Sequence, residues 1–546
     1  MALAMIKKLA SRLLGEDVVN SAPIVRGVAL SYADLFVTIA VSLVLTPIIL
    51  HHIGQSAYGL WATFGSVVGY FGLLDFGMNY ATAKYTAEYR AKSDPQALSK
   101  LVSTTVMGMA TIGLIIVAVS FALVPLVPEI FHLPAPLVKT AQIAFVLMAS
   151  NVALGLLAAT LVNIIYGFER VDIFRAFGIA QSAVNLFLTL LFLHLGFGLV
   201  GVVLATSAAV LSLLLLSAAF LFKSKYRVPI HPRFANWKTL KEIAPYSFRS
   251  FMLGLTAQVL YRTDNIVIGI LITVAAVGPY SIAYKLSYLG AMVMFKISTT
   301  LLPTFTRLYT LGTMDELRAL YLKTARLSMT LIVPFVLILL LAGRGIIDLW
   351  VGDANFVGQS VLVVLVLMDF IHATSGPAGV LLQAVGKNKE FAYSATVDAV
   401  LNLGLSIFLC QRFGVIGVAL GTLIAHLLTD TWVVTWLACR YISLPLKTYF
   451  FKAILPPFLS GAPVGLIAWL LFARSAQRGL VWVSLETISI VVLYLLSVLA
   501  LERVPQLRVV GASGGITPRH DTEADGWRMG RGESDTSSTI RRKSDR

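Results

Sequence analysis

The chain has almost no cysteine: Cys410 and Cys439 are the only two in 546 residues. Two such residues build neither a disulfide framework nor a cysteine metal site. Charge is scarce as well, with 13% of positions charged against 58% hydrophobic. A soluble globular domain carries about 25% charged residues, so that class is excluded. Signatures of nucleotide and metal chemistry are missing too. There is no G-x-x-x-x-G-K-[ST] loop, no G-x-G-x-x-G behind a strand and no H-E-x-x-H. No cofactor or metal is expected, and neither an enzyme nor a nucleotide-driven pump is indicated. The formal charge of +16 raises nucleic acid as a partner. Its Lys and Arg are spread over many loops without forming a groove or arm, so none is expected.

What the chain has is apolar length. Runs of about 20 residues, enough to cross a bilayer as helices, recur from residue 28 to residue 501. In lipid only helices and closed barrels satisfy their backbone polar groups, and these runs are too long and too continuously apolar for barrel strands. The expected fold is an all-α polytopic membrane protein with about fourteen transmembrane helices. With the N-terminus placed in the cytoplasm, the inside loops and N-terminal segment hold 25 of the 43 Lys and Arg. The outside loops hold Lys139, Arg344, Arg412, Arg474 and Arg478. This asymmetry fits the positive-inside rule with both termini cytoplasmic. Much of the net charge is then topology, plus attraction to anionic lipid headgroups.

The second half repeats the first. Phe197-Gly198-Leu199-Val200-Gly201-Val202-Val203-Leu204-Ala205-Thr206 returns as Phe413-Gly414-Val415-Ile416-Gly417-Val418-Ala419-Leu420-Gly421-Thr422. Ala57-Tyr58-Gly59 pairs with Ala276-Val277-Gly278, Gly167 with Gly386 and Asn185 with Asn402. Six spans per copy give both copies the same orientation and imply a pseudo-twofold axis along the membrane normal. The organisation reads as a cytoplasmic segment (1–27), a six-helix lobe (28–222), a basic linker (223–243), a second six-helix lobe (244–440), two further helices (441–501) and a polar disordered tail (502–546). Two similar bundles facing each other are a transporter plan.

Four cations interrupt the seventh and eighth spans: Arg249, Arg262, Lys285 and Lys296. Each charge near mid-membrane costs roughly 2.5–3.5 kcal/mol. Their counterparts in the first copy are Leu30, Leu43, Ser66 and Gly77, so the scaffold itself does not require them. Lys285 and Lys296 lie within about 20° of one helix face and roughly 16 Å apart. The cluster reads as a cavity lining that receives an anion, or as ion pairs between lobes. Arg249 is close enough to the cytoplasmic end to snorkel.

Acids are the second set. Ser31, Asp34 and Thr38 make a polar stripe in the first span. Asp398, Asn402 and Ser406 in span eleven match Gln181, Asn185 and Thr189 in span five, a pattern that fits interhelical hydrogen bonding. Asp369 and His372, three residues apart in span ten, have the spacing to store a proton or to form a structural pair. Asp369, His372, Asp34 and Asp264 are the candidates for coupling to an ion or proton.

The stretch Ile53-Gly54-Gln55-Ser56-Ala57-Tyr58-Gly59-Leu60-Trp61, continued by Gly69-Tyr70-Phe71-Gly72-Leu73-Leu74-Asp75-Phe76-Gly77, resembles the first hairpin of bacterial polysaccharide-biosynthesis flippases. These are the O-antigen-type, Wzx-like members of the multidrug/oligosaccharidyl-lipid/polysaccharide exporter superfamily. Tyr166-Gly167-Phe168-Glu169-Arg170, Arg262-Thr263-Asp264-Asn265-Ile266-Val267-Ile268-Gly269 and Gly386-Lys387-Asn388-Lys389 extend the resemblance over nearly the whole span region. It implies two six-helix lobes in an inverted V in the bacterial inner membrane. The implied task is moving undecaprenyl-pyrophosphate-linked oligosaccharide to the outer leaflet for surface or exopolysaccharide synthesis. A cationic cavity would hold the pyrophosphate or acidic sugars, and a polymerase with chain-length machinery would be partners. A peptidoglycan lipid-precursor flippase and a drug or organic-cation antiporter are the alternatives. The cationic second lobe weighs against the antiporter.

Overall fold

The computed structural model describes residues 22–223, 228–472 and 479–501. The chain before residue 22, the tail from residue 502, linker residues 224–227 and the outside-loop residues Arg474 and Arg478 lie outside the described residues. So does the side chain of Arg249. Among the described residues the secondary structure is helical, with no β-strand.

The first half runs α1 (Ala22–Phe71), α2 (Met78–Ala91), α3 (Pro95–Leu123), α4 (Ala135–Gly167), α5 (Val171–His194) and α6 (Gly198–Lys223). The second runs α7 (Trp237–Leu271), α8 (Val274–Thr300), α9 (Leu302–Thr310), α10 (Met314–Val351), α11 (Gln359–Ala384), α12 (Asn388–Phe413) and α13 (Val415–Leu428). Helix α13 continues through a π-helical turn at Asp430–Val434. Two more, α14 (Leu455–Phe472) and α15 (Leu480–Leu501), complete the chain as described.

Twelve helical stretches among the described residues are long and apolar enough to cross a membrane. The first, Leu30–Asp75, has 46 residues, or about 69 Å as one helix, far more than a hydrocarbon core of about 30 Å. It breaks at Gly54, whose φ of 77° and ψ of 168° leave the helical region. A side chain there would be strained. The corresponding point of the second half is Thr273, which caps α8 by accepting a 3.2 Å bond from the Ala276 N–H. Helix α7 is not among the twelve, because its cations and polar residues lower its hydropathy. It begins at Trp237, capped by Asn236, inside the segment read from the sequence as linker.

Packing is inverted relative to a soluble protein. Large apolar side chains point outward, including Phe36, Leu114, Phe187, Leu215, Val400 and Leu470, while Thr63, Ser66, Ser103, Thr105 and Thr160 are buried. Lipid is as apolar as leucine, so helices associate through small residues and hydroxyls rather than by hydrophobic exclusion. Thr63, Thr82 and Thr105 return their hydroxyls to the carbonyl one turn back, leaving no orphan donor.

The halves meet along α1, α7 and α8. The matched glycines Gly59 and Gly278 lie at this crossing. A Cβ on Gly59 would run into the carbonyl of Val274, and one on Gly278 would press on that of Gln55. Toward the other end, Tyr70 bonds Thr263 at 2.6 Å and Asn265 donates to Ser66 at 3.1 Å. On the other flank, Trp350 Nε1 on α10 donates to the Leu43 carbonyl at 2.8 Å.

Candidate functional site

Lys285 and Lys296 both face α1. The Lys285 ammonium donates a 2.9 Å bond to Thr46 Oγ1, and Thr46 in turn donates to the Ser42 carbonyl at 2.7 Å. Among the described residues no carboxylate pairs with Lys285, so one neutral hydroxyl is its hydrogen-bond partner. One turn beyond Lys296, the Tyr32 and Thr300 hydroxyls stand 3.4 Å apart, tying this end of α8 to α1.

Asp34, on α1, is not free. It accepts a 3.0 Å bond from Arg175 on α5, both side chains being partly buried. Arg175 stands one turn into α5, which starts at Val171, and joins the polar interior. Lys296 lies close enough to feel both charges.

The other cations of the set are placed apart. Arg262, on α7, is exposed and within electrostatic range of Tyr288. It forms no hydrogen bond or ion pair among the described residues. Arg249 is on the same helix, α7, about three turns after its start at Trp237.

The coupling candidates sort by their partners. Asp264 is satisfied: Tyr280 donates to it at 2.5 Å and Thr422 at 3.3 Å, joining α7, α8 and α13. The spacing of Asp369 and His372 suggested a mutual pair, and the structure corrects that. Asp369 accepts from Ser287 on α8, while its Oδ1 is shielded and unpartnered. His372 leaves Nδ1 unpartnered and sets its ring edge-on against His426, 4.6 Å between centroids. Side chains three apart on one helix sit side by side, yet each here finds a neighbour on another helix.

Sequence reasoning missed the tight pair of this region. His426 Nδ1 and Asp398 Oδ2 are 2.6 Å apart, with both side chains 1% exposed. Asp398 had been assigned to a packing stripe. Its neighbour Ser406 does pack that way, donating to the Val418 carbonyl at 3.2 Å. Asp430 accepts from Ser375 at 3.3 Å nearby. A ladder of Tyr280, Tyr284 and Tyr288 on α8 connects these groups, its rings stacked 6.4 and 5.8 Å apart. Tyr261 closes the ladder, 5.7 Å from Tyr288 and 6.3 Å from His372. The signal was present as tyrosines at i, i+4 and i+8, though nothing local distinguished it from aromatic packing. Among the described residues no three of His, Cys, Asp and Glu group as metal ligands.

The arrangement thus has two parts. An interface between halves carries cations with few counter-charges among the described residues, and a buried cluster of carboxylates and imidazoles lies inside the second half. The first can hold an anion, and the second can hold a proton.

Residues 24–309 match the family model described as "Polysaccharide biosynthesis protein". The chain is 24% identical over 191 residues to the "Probable low-salt glycan biosynthesis flippase Agl15" of Haloferax volcanii, covering 35% of this chain and 40% of that protein. It therefore spans less than half the length of that relative. The fold is similar to that of the lipid II flippase MurJ in its inward closed conformation, with a TM-score of 0.68 at 15% identity over 87% of this chain and 99% of that one. It is also similar to an inward-facing multidrug resistance MATE family transporter of the MOP superfamily. There the TM-score is 0.61 at 17% identity, over 73% of this chain and 98% of the other. At these identities the likeness is one of fold.

Proposed function

The chain belongs to the polysaccharide biosynthesis protein family, and from that premise we propose that it is a flippase. Its substrate is an undecaprenyl-pyrophosphate-linked oligosaccharide, carried across the bacterial cytoplasmic membrane by alternating access of the two halves for surface or exopolysaccharide synthesis. The observation that carries this reading is Lys285, an ammonium at the interface between halves whose hydrogen-bond partner among the described residues is the Thr46 hydroxyl alone. A chain tolerates such a charge in mid-membrane when function needs it. Lys296 extends the cationic face toward the cytoplasmic side, where the substrate is loaded. Arg262 and Arg249 are auxiliary, meeting the headgroup only when the halves move.

Fourteen spans with both termini cytoplasmic complete the proposal. The break at Gly54 and the polar helix α7 support that count. Proton coupling is assigned to Asp369 and His372, working with the His426–Asp398 pair. Each of the first two keeps a shielded, unpartnered atom, whereas Asp264 and Asp34 are already bonded. Polymerase and chain-length proteins would take up the product.

The test is complementation of a strain lacking this flippase. Lys285→Ala and Lys296→Ala, each losing charge-assisted contacts, should cut surface polymer about tenfold or more at unchanged protein level. Full polymer from the double variant would overturn the role of the cations. A peptidoglycan-precursor flippase is the second reading, favoured by the fold match to the lipid II flippase over 87% of the chain. Rescue of a strain lacking its lipid II flippase, with no effect on polymer, would select it.

A further inference from the structure

On the outer side of the proposed topology lies a cleft that the cationic interface does not use. It measures about 390 Å³ and opens between α1 of the first half and the end of α10, with its following turn, in the second. Small-molecule sites begin at about 300 Å³ and favour seams between packed units. Pro47, Leu50 and His51 line the cleft from before the Gly54 break and Gln55 from after it, while Trp350 and Asn355 face them from the second half. None of the residues lining it is Asp, Glu, Lys or Arg. The polar groups there are either fixed or left to bond. Trp350 donates Nε1 to the Leu43 carbonyl at 2.8 Å, which spends the N–H that an interfacial tryptophan would offer to lipid headgroups and sets its ring as a wall. Asn355 donates Nδ2 to the Val351 carbonyl at 2.7 Å, leaving its side-chain oxygen as an acceptor. The turn bearing Asn355 is pinned by Arg344, which grips Asp353 through bonds of 2.9 and 3.0 Å. The stem of Gln55 packs at the helix crossing, where a Cβ on Gly278 would stand 3.4 Å from its Cγ. Its amide forms no hydrogen bond among the described residues.

We propose that this cleft is a saccharide site on the outer face, taking an uncharged sugar ring. That the sugar belongs to the flipped glycan rests on the flippase reading. A pyranose has apolar C–H faces and a rim of hydroxyls that donate and accept. The indole of Trp350 offers a broad apolar surface for such a face, with weak C–H contacts to the ring adding to it. The neutral amides of Gln55 and Asn355 suit the rim. An anion finds no cation among the lining residues, and an alkyl chain would cover the amides without pairing them. The charged and uncharged parts of one substrate are thus recognised in different places, the first by cations inside and the second by an aromatic ring and amides outside.

The experiment uses the full chain in nanodiscs of phosphatidylcholine, with free maltose, lactose and N,N′-diacetylchitobiose as probes. Saturation-transfer NMR and titration of indole fluorescence read binding. At least one disaccharide should bind with about millimolar affinity, its ring C–H protons saturated most strongly, and inorganic pyrophosphate should not compete. Trp350→Ala should weaken binding about tenfold or more. Trp350→Phe, which keeps an aromatic wall but loses the Leu43 bond, should stay within about threefold of wild type. The Gln55→Ala/Asn355→Ala double variant should bind about tenfold weaker. Binding of none of the three sugars, competition by pyrophosphate, or unchanged binding by a folded Trp350→Ala would overturn the site. A loss in Trp350→Phe as large as in Trp350→Ala would overturn the aromatic wall. Should Trp350→Ala fail to fold, unchanged binding by the double amide variant overturns the proposal instead. Failure here is distinct from failure of the flippase reading. Sugar binding of this pattern without glycolipid flipping would refute that reading alone, and flipping without this pattern would refute only the outer site.

Discussion

Replacing Lys285 should separate stability from function. The ammonium lies mid-span, where a charge costs roughly 2.5–3.5 kcal/mol. Against this stands one charged hydrogen bond to Thr46, of a kind that contributes about 1.5–3 kcal/mol. The two nearly cancel. Lys285→Met, which keeps the apolar stem, should leave stability within about 1 kcal/mol of wild type, a shift of a few degrees in melting temperature at most. Transport should fall about tenfold or more, because the anion loses a charged contact. The assay is paired: fluorescence-detected melting of the purified protein in detergent, and flipping by the same preparation in proteoliposomes. A drop in melting temperature of about 10 °C or more would mean that the lysine pins the halves together, since 1 kcal/mol corresponds to about 2–4 °C even in smaller domains. Normal stability with normal transport would refute the reasoning just as firmly.

Other perturbations follow from single contacts. The buried Asp398–His426 pair predicts strong coupling: each Ala variant should lose about 3–5 kcal/mol, with the double variant far from additive in a thermal double-mutant cycle. His372→Ala, which removes a ring packed edge-on against His426 but no contact to a carboxylate such as His426 makes with Asp398, should cost less stability than His426→Ala in the same melts. Gly59→Ala would drive a Cβ into the Val274 carbonyl. It should lower melting temperature by an amount typical of backbone overpacking, about 1–3 kcal/mol, whereas Gly72→Ala, with open space around it, should cost less.

Helices were legible because lipid demands continuous apolar length, and the repeat because matched turns keep their glycines. Gly198 and Gly414 both take positive φ, 55° and 64°, at equivalent turns. The common face of Lys285 and Lys296 followed from an eleven-residue separation alone, and both do look toward α1. What could not be read is anything that depends on register between helices. Asp398 and His426 are 28 residues apart, and only the packing of α12 on α13 brings them to 2.6 Å. Nothing in the sequence singled out Arg175, because basic residues crowd the ends of spans. Its role depends on where α5 begins and on Asp34 standing opposite. Asp369 and His372 gave a local signal that was real in spacing and misleading in partner.

The central claim is that the cationic interface carries a lipid-linked glycan across the bilayer. Its most direct test is reconstitution of the full chain in proteoliposomes with fluorescently labelled undecaprenyl-pyrophosphate oligosaccharide, scored by accessibility of the glycan to an external lectin or glycosidase. The account predicts glycan movement between leaflets that depends on the protein and collapses in the Lys285→Met/Lys296→Gln double variant. Movement at the wild-type rate in that variant, or none with the wild-type protein, would contradict it.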